Sequence, residues 1–267
     1  MDANPIVLKT RREPGWNAGL ANMLGKELGT WWRTRRWWIQ GLVALVVLNL
    51  TLGLNMGDGM AASGAEYTYL MIAALCVPVA AVNVAQDSIL GERHAGTAAW
   101  VLSKPLKRTA FIVAKLIAHG WGLLLVWVAL PGTVAYFQLT RAVGAPWPGS
   151  DFAAAMGLVF LNLLFYFNLA MLLATLFDSR GAVLGISLAV LWAGPMQFIN
   201  EPIQKYAPWL GTILPWNLLM SFGKDPPLVM FVASGKPLPS VTPIIATLLW
   251  CVVFVAVAIW RFSREEF

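Results

Sequence analysis

The chain has 267 residues, of which 58% are hydrophobic and 12% are charged, and its mean hydropathy is +0.67. Soluble domains carry about 25% charged residues, so this composition excludes an ordinary water-soluble protein. The net charge of +6 is attributed to the cytoplasmic ends of membrane helices, where basic residues collect, and no nucleic-acid partner is expected.

The first 36 residues contain seven Lys or Arg residues and no apolar run, which predicts a cytoplasmic N-terminal segment without a signal peptide. Within this segment, Met23–Arg36 has the pattern of a basic amphipathic helix. Such helices lie in the membrane interface, so this helix is predicted to lie on the inner leaflet.

Six stretches without Asp, Glu, Lys or Arg reach the length of about 20 residues that a helix needs to cross a bilayer. They are Trp37–Gly57, Tyr67–Gln86, Leu116–Thr140, Phe152–Phe177, Gly181–Asn200 and Pro237–Trp260. A seventh stretch, Tyr206–Gly223, contains Pro208, Gly211 and Pro215. Because lipid cannot replace the backbone donor that proline lacks, this stretch is predicted to be re-entrant or interfacial.

The distribution of basic residues predicts the orientation. Under the six-span arrangement, fifteen Lys and Arg residues lie on the side of the N-terminus and four on the other side. The excess marks the cytoplasmic side, so both termini are expected in the cytoplasm and the chain in the plasma (inner) membrane. The expected parts are a cytoplasmic segment 1–36, a transmembrane domain 37–260 and a cytoplasmic tail 261–267. A cytoplasmic loop 87–110 and an extracytoplasmic re-entrant segment 201–236 belong to the domain.

Tryptophans cluster at both expected membrane surfaces, as in an aromatic belt. On the cytoplasmic side they are Trp31, Trp32, Trp37, Trp38 and Trp260, and on the opposite side Trp147, Trp209 and Trp216. This pattern predicts interface anchors and needs no ligand.

The connection between the second and third spans has a readable local pattern. Gly91 and Gly96 bracket a charged turn, and Thr97 can cap a short helix that ends before Pro105. Lys107, Arg108 and Lys115 are placed to reach lipid phosphates. From the residues alone, this is an amphipathic helix docked on the membrane surface.

The order of residues in this connection resembles the membrane subunits of ABC-2 type transporters. The positions that match the family pattern are Glu92, Arg93, Gly96, Thr97, Ser103, Pro105, Arg108 and Lys115. Two departures are Ala98–Trp100 in place of an acidic residue, and Val101 at a patterned Leu position with Leu102 one place later. Weaker similarities lie at Gly25–Leu28 with Thr34–Arg36, at Phe177–Gly181 and at Pro208–Asn217.

The resemblance implies transport, in the export direction, driven by ATP that a separate subunit hydrolyses. The implied partners are two copies of a cytoplasmic ABC ATPase, a second permease chain that forms a homodimer, and membrane lipid. ATP and Mg²⁺ belong to the ATPase, because the nearest approach to a Walker motif, Gly19 to Glu27, has the wrong spacing and lacks the Ser or Thr. The implied ATPase-coupling residues are Gly91, Glu92, Arg93, Gly96, Thr97, Trp100, Leu102, Ser103, Pro105, Arg108 and Lys115.

Polar residues within the spans leave two interpretations open. Asn49, Asn83, Asn162 and Asn168 can line a translocation path between subunits or bridge helices within one chain. No charged residue is expected deep in a span, which disfavours an ion-coupled carrier. His94, His119, Cys76 and Cys251 lack the spacing of a metal site, so no metal or other cofactor is expected on this chain.

The sequence therefore predicts an all-α integral membrane protein with six transmembrane helices, an N-terminal amphipathic interfacial helix and a partly re-entrant segment before the last helix. The function it favours is that of a transporter permease without its own catalytic site. A non-transporting assembly or anchoring subunit is the alternative. An intramembrane enzyme is disfavoured, because the apolar runs contain no Asp, Glu or nucleophile motif.

Overall fold

The structure is a computed structural model that describes residues 15, 17–96, 106–221 and 226–264, with the backbone alone at Gln197. Its regular secondary structure is helical, with no β-strand in the described part of the chain. The helices are α1 Leu20–Arg33, α2 Arg36–Gly57, α3 Ala62–His94, α4 Arg108–Val143, α5 Gly149–Leu176, α6 Arg180–Ala193, α7 Gln197–Tyr206, α8 Leu210–Ile213, α9 Trp216–Leu219, α10 Leu228–Ala233 and α11 Thr242–Ser263.

Five helices are long and apolar enough to cross a membrane, namely α2, α3, α4, α5 and α11. They confirm five of the six predicted spans and extend two of them by several residues at the ends. Helix α3 remains continuous through Pro78. The chain is thus a multi-pass membrane protein.

The fifth predicted span, Gly181–Asn200, is not one straight helix. The chain turns by 72° between Arg180–Ala193 and Phe198–Tyr206, so a broken pair replaces the predicted helix. Pro195 lies at the break and has no backbone N–H to continue the helix. A Cβ atom on Gly194 would lie 2.7 Å from Cδ1 of Trp216, so this glycine lets the indole ring pack against the bend.

The predicted re-entrant stretch packs against the bundle in short helices. Its described residues form the short helices α8 and α9, and Trp216, Leu218 and Leu219 are buried. The indole Nε1 of Trp216 donates a hydrogen bond to the carbonyl oxygen of Val190 at 2.8 Å. This bond and the apolar burial hold the stretch against α6, in keeping with the prediction that it does not form a further straight span.

Helix α5 lies at the centre of the bundle and packs against α3 and α11. Its Phe165, Tyr166 and Phe167 are all fully buried. The outer faces of α2 and α11 instead carry exposed apolar side chains, such as Leu42 and Val252. This arrangement, apolar both inside and outside, is the one that a bilayer requires.

One end of the bundle gathers α1, the last turns of α3 and α11, and the first turns of α4 and α6. Arg108 Nη1 donates to the carbonyl oxygen of Ser263 at 3.0 Å, and Arg180 Nη2 lies 3.3 Å from Asp87 Oδ1. We call this end the basic end. Helix α6 therefore begins at the end of the bundle where α11 finishes.

Candidate functional site

Four charged side chains meet where α1 packs against the ends of α3 and α4. Lys115 Nζ lies 3.1 Å from Glu27 Oε1 and 3.1 Å from Glu92 Oε1. Lys26 Nζ lies 2.7 Å from Glu92 Oε1 and 3.5 Å from Glu27 Oε1. We call Lys26, Glu27, Glu92 and Lys115 the charge cluster. Two positive and two negative charges alternate, so the cluster as a whole is neutral.

The inner half of the charge cluster is buried. Lys115 is 1% exposed and Glu27 is 4% exposed. Removing one partner of a buried ion pair leaves an uncompensated charge and typically costs about 3–5 kcal/mol. The prediction that Lys115 reaches lipid phosphates is therefore wrong: two carboxylates surround its ammonium group, which also lies 4.7 Å from the Phe111 ring centre.

The sequence pattern of α1 explains how it reaches these partners. Its buried residues, Met23, Glu27 and Trp31, follow one another at intervals of four, so they share one face of the helix. That face packs along α4. The predicted amphipathic helix is present, and its inner face contacts the third span.

Ionisation within the charge cluster follows from its contacts. Burial alone would raise the pKa of Glu27, but His119, Lys115 and Lys26 outweigh burial and lower that pKa to about 2. Burial likewise opposes the charge of Lys26, and the hydrogen bond and attraction to Glu92 raise its pKa above the ordinary value. Both groups are therefore charged at neutral pH.

A second contact locks α1 onto α4. Trp31 Nε1 donates a hydrogen bond to His119 Nδ1 at 2.7 Å. Since an indole nitrogen can only donate, His119 Nδ1 accepts, and the ring hydrogen of the neutral imidazole lies on Nε2. His119 Nε2 lies 3.4 Å from Glu27 Oε2, so the histidine joins the indole to the charge cluster. The histidine is thus bonded between helices, as predicted.

The indole ring of Trp31 lies directly on the backbone of α4. A Cβ atom on Gly122 would lie 2.6 Å from Trp31 Cε2. No side chain fits there without moving the ring. Gly122 therefore sets how closely α1 approaches the third span.

Of the described coupling candidates, Glu92 and Lys115 belong to the charge cluster, and the others lie at the adjoining ends of α3 and α4. Gly91, Glu92 and Arg93 form the last turn of α3, and Gly96 follows with a φ of +66°. Arg93 Nη1 donates to the carbonyl oxygen of Ala174 at 3.1 Å, which ties this turn to α5. Arg108 begins α4 and Lys115 lies two turns further on. The remaining candidates, Thr97, Trp100, Leu102, Ser103 and Pro105, lie outside the described residues.

The four asparagines occupy different environments. Asn49 lies in a π-helical turn of α2, a rare geometry, and its Nδ2 donates to the carbonyl oxygen of Pro131 at 2.9 Å. Asn162 Nδ2 donates to the carbonyl oxygen of Ala74 at 3.3 Å. Both therefore connect neighbouring helices. Asn168 is buried in the core, and Asn83 is exposed on α3.

Three of the predicted belt tryptophans have internal partners instead. Trp31 and Trp216 are buried, and Trp147 Nε1 donates to Glu66 Oε1 at 3.2 Å. Glu66 is 4% exposed near the start of α3 and was missed in the sequence, because it lies one residue before the predicted second span. Trp32, Trp37, Trp38, Trp209 and Trp260 are exposed, as an interface belt requires.

The described residues contain no group of three or more His, Cys, Asp or Glu that could hold a metal ion. His94 Nε2 lies 3.1 Å from the backbone oxygen of Asp178, and the thiols of Cys76 and Cys251 are free.

A bundle with five helices long and apolar enough to cross a bilayer defines the class, a multi-pass membrane protein. The family follows from comparison with known families: the model described as ABC-2 family transporter protein matches residues 21–267. The chain belongs to this family and is a transmembrane permease component of an ABC-2 transporter. The family lacks an ATP site of its own, so an ATPase partner is implied. A search of curated proteins gives no significant match.

Proposed function

We propose that the chain moves a substrate out of the cell when a separate cytoplasmic ATPase hydrolyses ATP. Two copies of the chain work with two ATPase subunits, and the basic end faces the cytoplasm. The observation that carries this proposal is the charge cluster, because it joins α1 to the helices α3 and α4, which flank residues 97–105 in the sequence.

The proposed mechanism follows from these contacts. A push on the loop 97–105 acts directly on its two flanking helices, α3 and α4. The charge cluster fixes Glu92 of α3 and Lys115 of α4 to the same α1 helix, so these ends move together instead of flexing separately. The spans then rotate as one body. In this account, Gly91, Glu92, Arg93, Gly96, Arg108 and Lys115 transmit the movement.

Gly96 and Glu92 provide the test. In G96A, the added Cβ atom would meet no atom within 4 Å. The φ of +66° is a left-handed conformation that costs an alanine about 1 kcal/mol. Gly144 is a matched control, with a φ of +71°, equally open space and a position at the opposite end of the bundle. Glu201, an exposed carboxylate of α7, is the control for Glu92.

The experiment compares the variants E92Q/G96A and E201Q/G144A in the reconstituted complex with its ATPase. We expect E92Q/G96A to lower substrate moved per ATP hydrolysed, and E201Q/G144A to leave that ratio unchanged. Equal ratios in the two variants would contradict the proposed coupling. If E92Q/G96A assembles poorly, the single variants G96A and G144A carry the comparison.

Export is the direction that the family resemblance favours. Inverted membrane vesicles test it, since an exporter then accumulates substrate inside the vesicle when ATP is added outside. Accumulation only in right-side-out vesicles with internal ATP would contradict export.

A further inference from the structure

A cleft of about 830 Å³ opens at the basic end between α1, α2, α3, α4 and the start of α6. Four basic and three acidic side chains line it. The charge cluster accounts for two of each sign. The remaining three, Arg36, Asp87 and Arg180, lie together, so the excess positive charge is located at one place.

These three residues form a bridge across three helices. Arg36 Nη1 lies 3.3 Å from Asp87 Oδ2, and Arg180 Nη2 lies 3.3 Å from Asp87 Oδ1. A single carboxylate thus stands between two guanidinium groups. The arginine side chains are 64% and 52% exposed, so both remain accessible to an anion from outside.

The chemistry of this bridge fits a phosphate group. Each guanidinium carries five N–H donors in a planar fork, and one carboxylate cannot occupy two such forks. Arginine forks match the geometry of phosphate oxygens. An oxyanion with several acceptor oxygens can therefore contact both arginines at once.

The position of the cleft favours a lipid as the source of the phosphate. Arg36 is the first residue of α2, and the next two residues, Trp37 and Trp38, are exposed as interface anchors are. From Asp87 the cleft wall continues to Ala80, about 10 Å further along α3 at 1.5 Å per residue. The apolar Val84 and Ala80 lie on this wall together with the polar Asn83 and Gln86.

We propose that this cleft binds an anionic phospholipid, with Arg36 and Arg180 as the ligands of its phosphate and the wall formed by Val84 and Ala80 against its acyl ester region. Asp87 competes with the phosphate for the two arginines. Binding of the lipid joins α2, α3 and α6 at the basic end. The site does not require the ATPase, so its test is independent of the transport cycle.

The test measures lipid binding to the purified full-length chain in detergent, with phosphatidylglycerol, phosphatidylcholine and inorganic phosphate as probes. The variant R36Q/R180Q removes the proposed ligands. The variant R33Q/R35Q removes the same charge from exposed neighbours that do not line the cleft. We expect R36Q/R180Q to weaken phosphatidylglycerol binding by about tenfold or more, and R33Q/R35Q by no more than about twofold.

A third variant gives a result of opposite sign. D87N removes the competing carboxylate, so it should tighten phosphatidylglycerol binding, an effect that loss of structure cannot produce. Equal weakening in R36Q/R180Q and R33Q/R35Q would overturn the proposal, as would weaker binding in D87N. Equal binding of phosphatidylcholine would exclude selection for an anionic lipid. If inorganic phosphate displaced phosphatidylglycerol at similar concentrations, the site would be one for a free anion, and the lipid assignment would be wrong.

Discussion

Replacement of Gly122 by alanine tests the contact that holds α1 on the third span. The added Cβ atom would lie 2.6 Å from Trp31 Cε2, well inside van der Waals contact. Trp31 is buried, so its ring cannot move aside without disturbing its neighbours. The hydrogen bond from Trp31 to His119 is expected to break as the ring shifts.

The size of the effect follows from three contributions. Overpacking of a well-packed site costs typically 1–3 kcal/mol. Loss of the indole hydrogen bond adds about 1 kcal/mol. The gain in helix propensity from glycine to alanine offsets up to about 1 kcal/mol. The expected net loss of stability is about 1–3 kcal/mol.

Gly120 provides a matched control in the same helix. A Cβ atom there would meet Leu164 Cδ2 at 3.9 Å, an ordinary contact. G120A should therefore gain helix propensity without overpacking. The assay compares thermal unfolding in mild detergent with hydrogen exchange of the α1 backbone. If G122A unfolds like G120A and α1 stays equally protected, the argument that Gly122 seats Trp31 is wrong.

Three further predictions concern buried charged side chains and their partners. K115M should lower stability by about 3–5 kcal/mol in thermal unfolding, because Glu27 and Glu92 lose the buried one of the two lysines that they share, and K115M/E27Q should recover part of that loss. Glu27 has a folded pKa of about 2 against 4.5 unfolded, so its contribution of about 3 kcal/mol is complete above pH 4.5 and is lost as the pH falls towards 2. E27Q should therefore flatten the acid side of the stability profile. W147F removes the indole donor to buried Glu66 and should cost about 1–3 kcal/mol in the same unfolding assay.

Exposed residues of the same types supply the controls. Lys107 and Trp209 are exposed, so K107M and W209F should leave the unfolding temperature unchanged. An equal loss in K107M and K115M would contradict the importance of burial at Lys115. If stability fell steeply well above pH 4.5, and did so equally in E27Q and in the parent, another group would govern acid stability.

Most of the fold was predictable from the sequence because charge-free runs of span length have few alternatives in a bilayer. The broken fifth span was not predicted, although Gly194 and Pro195 were visible signals. Pro78 shows why such signals are ambiguous, since α3 continues through it. Pro195 differs from Pro78 because it follows Gly194, against which the ring of Trp216 packs. That contact comes from a segment 22 residues further along the chain.

The charge cluster could be predicted only in part. The resemblance singled out Glu92 and Lys115, and the similarity at Gly25–Leu28 included Lys26 and Glu27. Their pairing joins positions 66 and 88 residues apart, and no local spacing specifies such a contact. The seat of Trp31 on Gly122 was missed entirely, because an interfacial belt explains a tryptophan beside arginines equally well.

Co-purification tests whether a separate ATPase drives this permease. The chain is purified from its native membrane in mild detergent, and the accompanying proteins are identified and quantified by mass. We expect a soluble chain with a Walker motif in a one-to-one ratio with the permease. Isolation of the permease alone, or with a partner that lacks ATPase activity, under conditions that preserve known transporter complexes would contradict it.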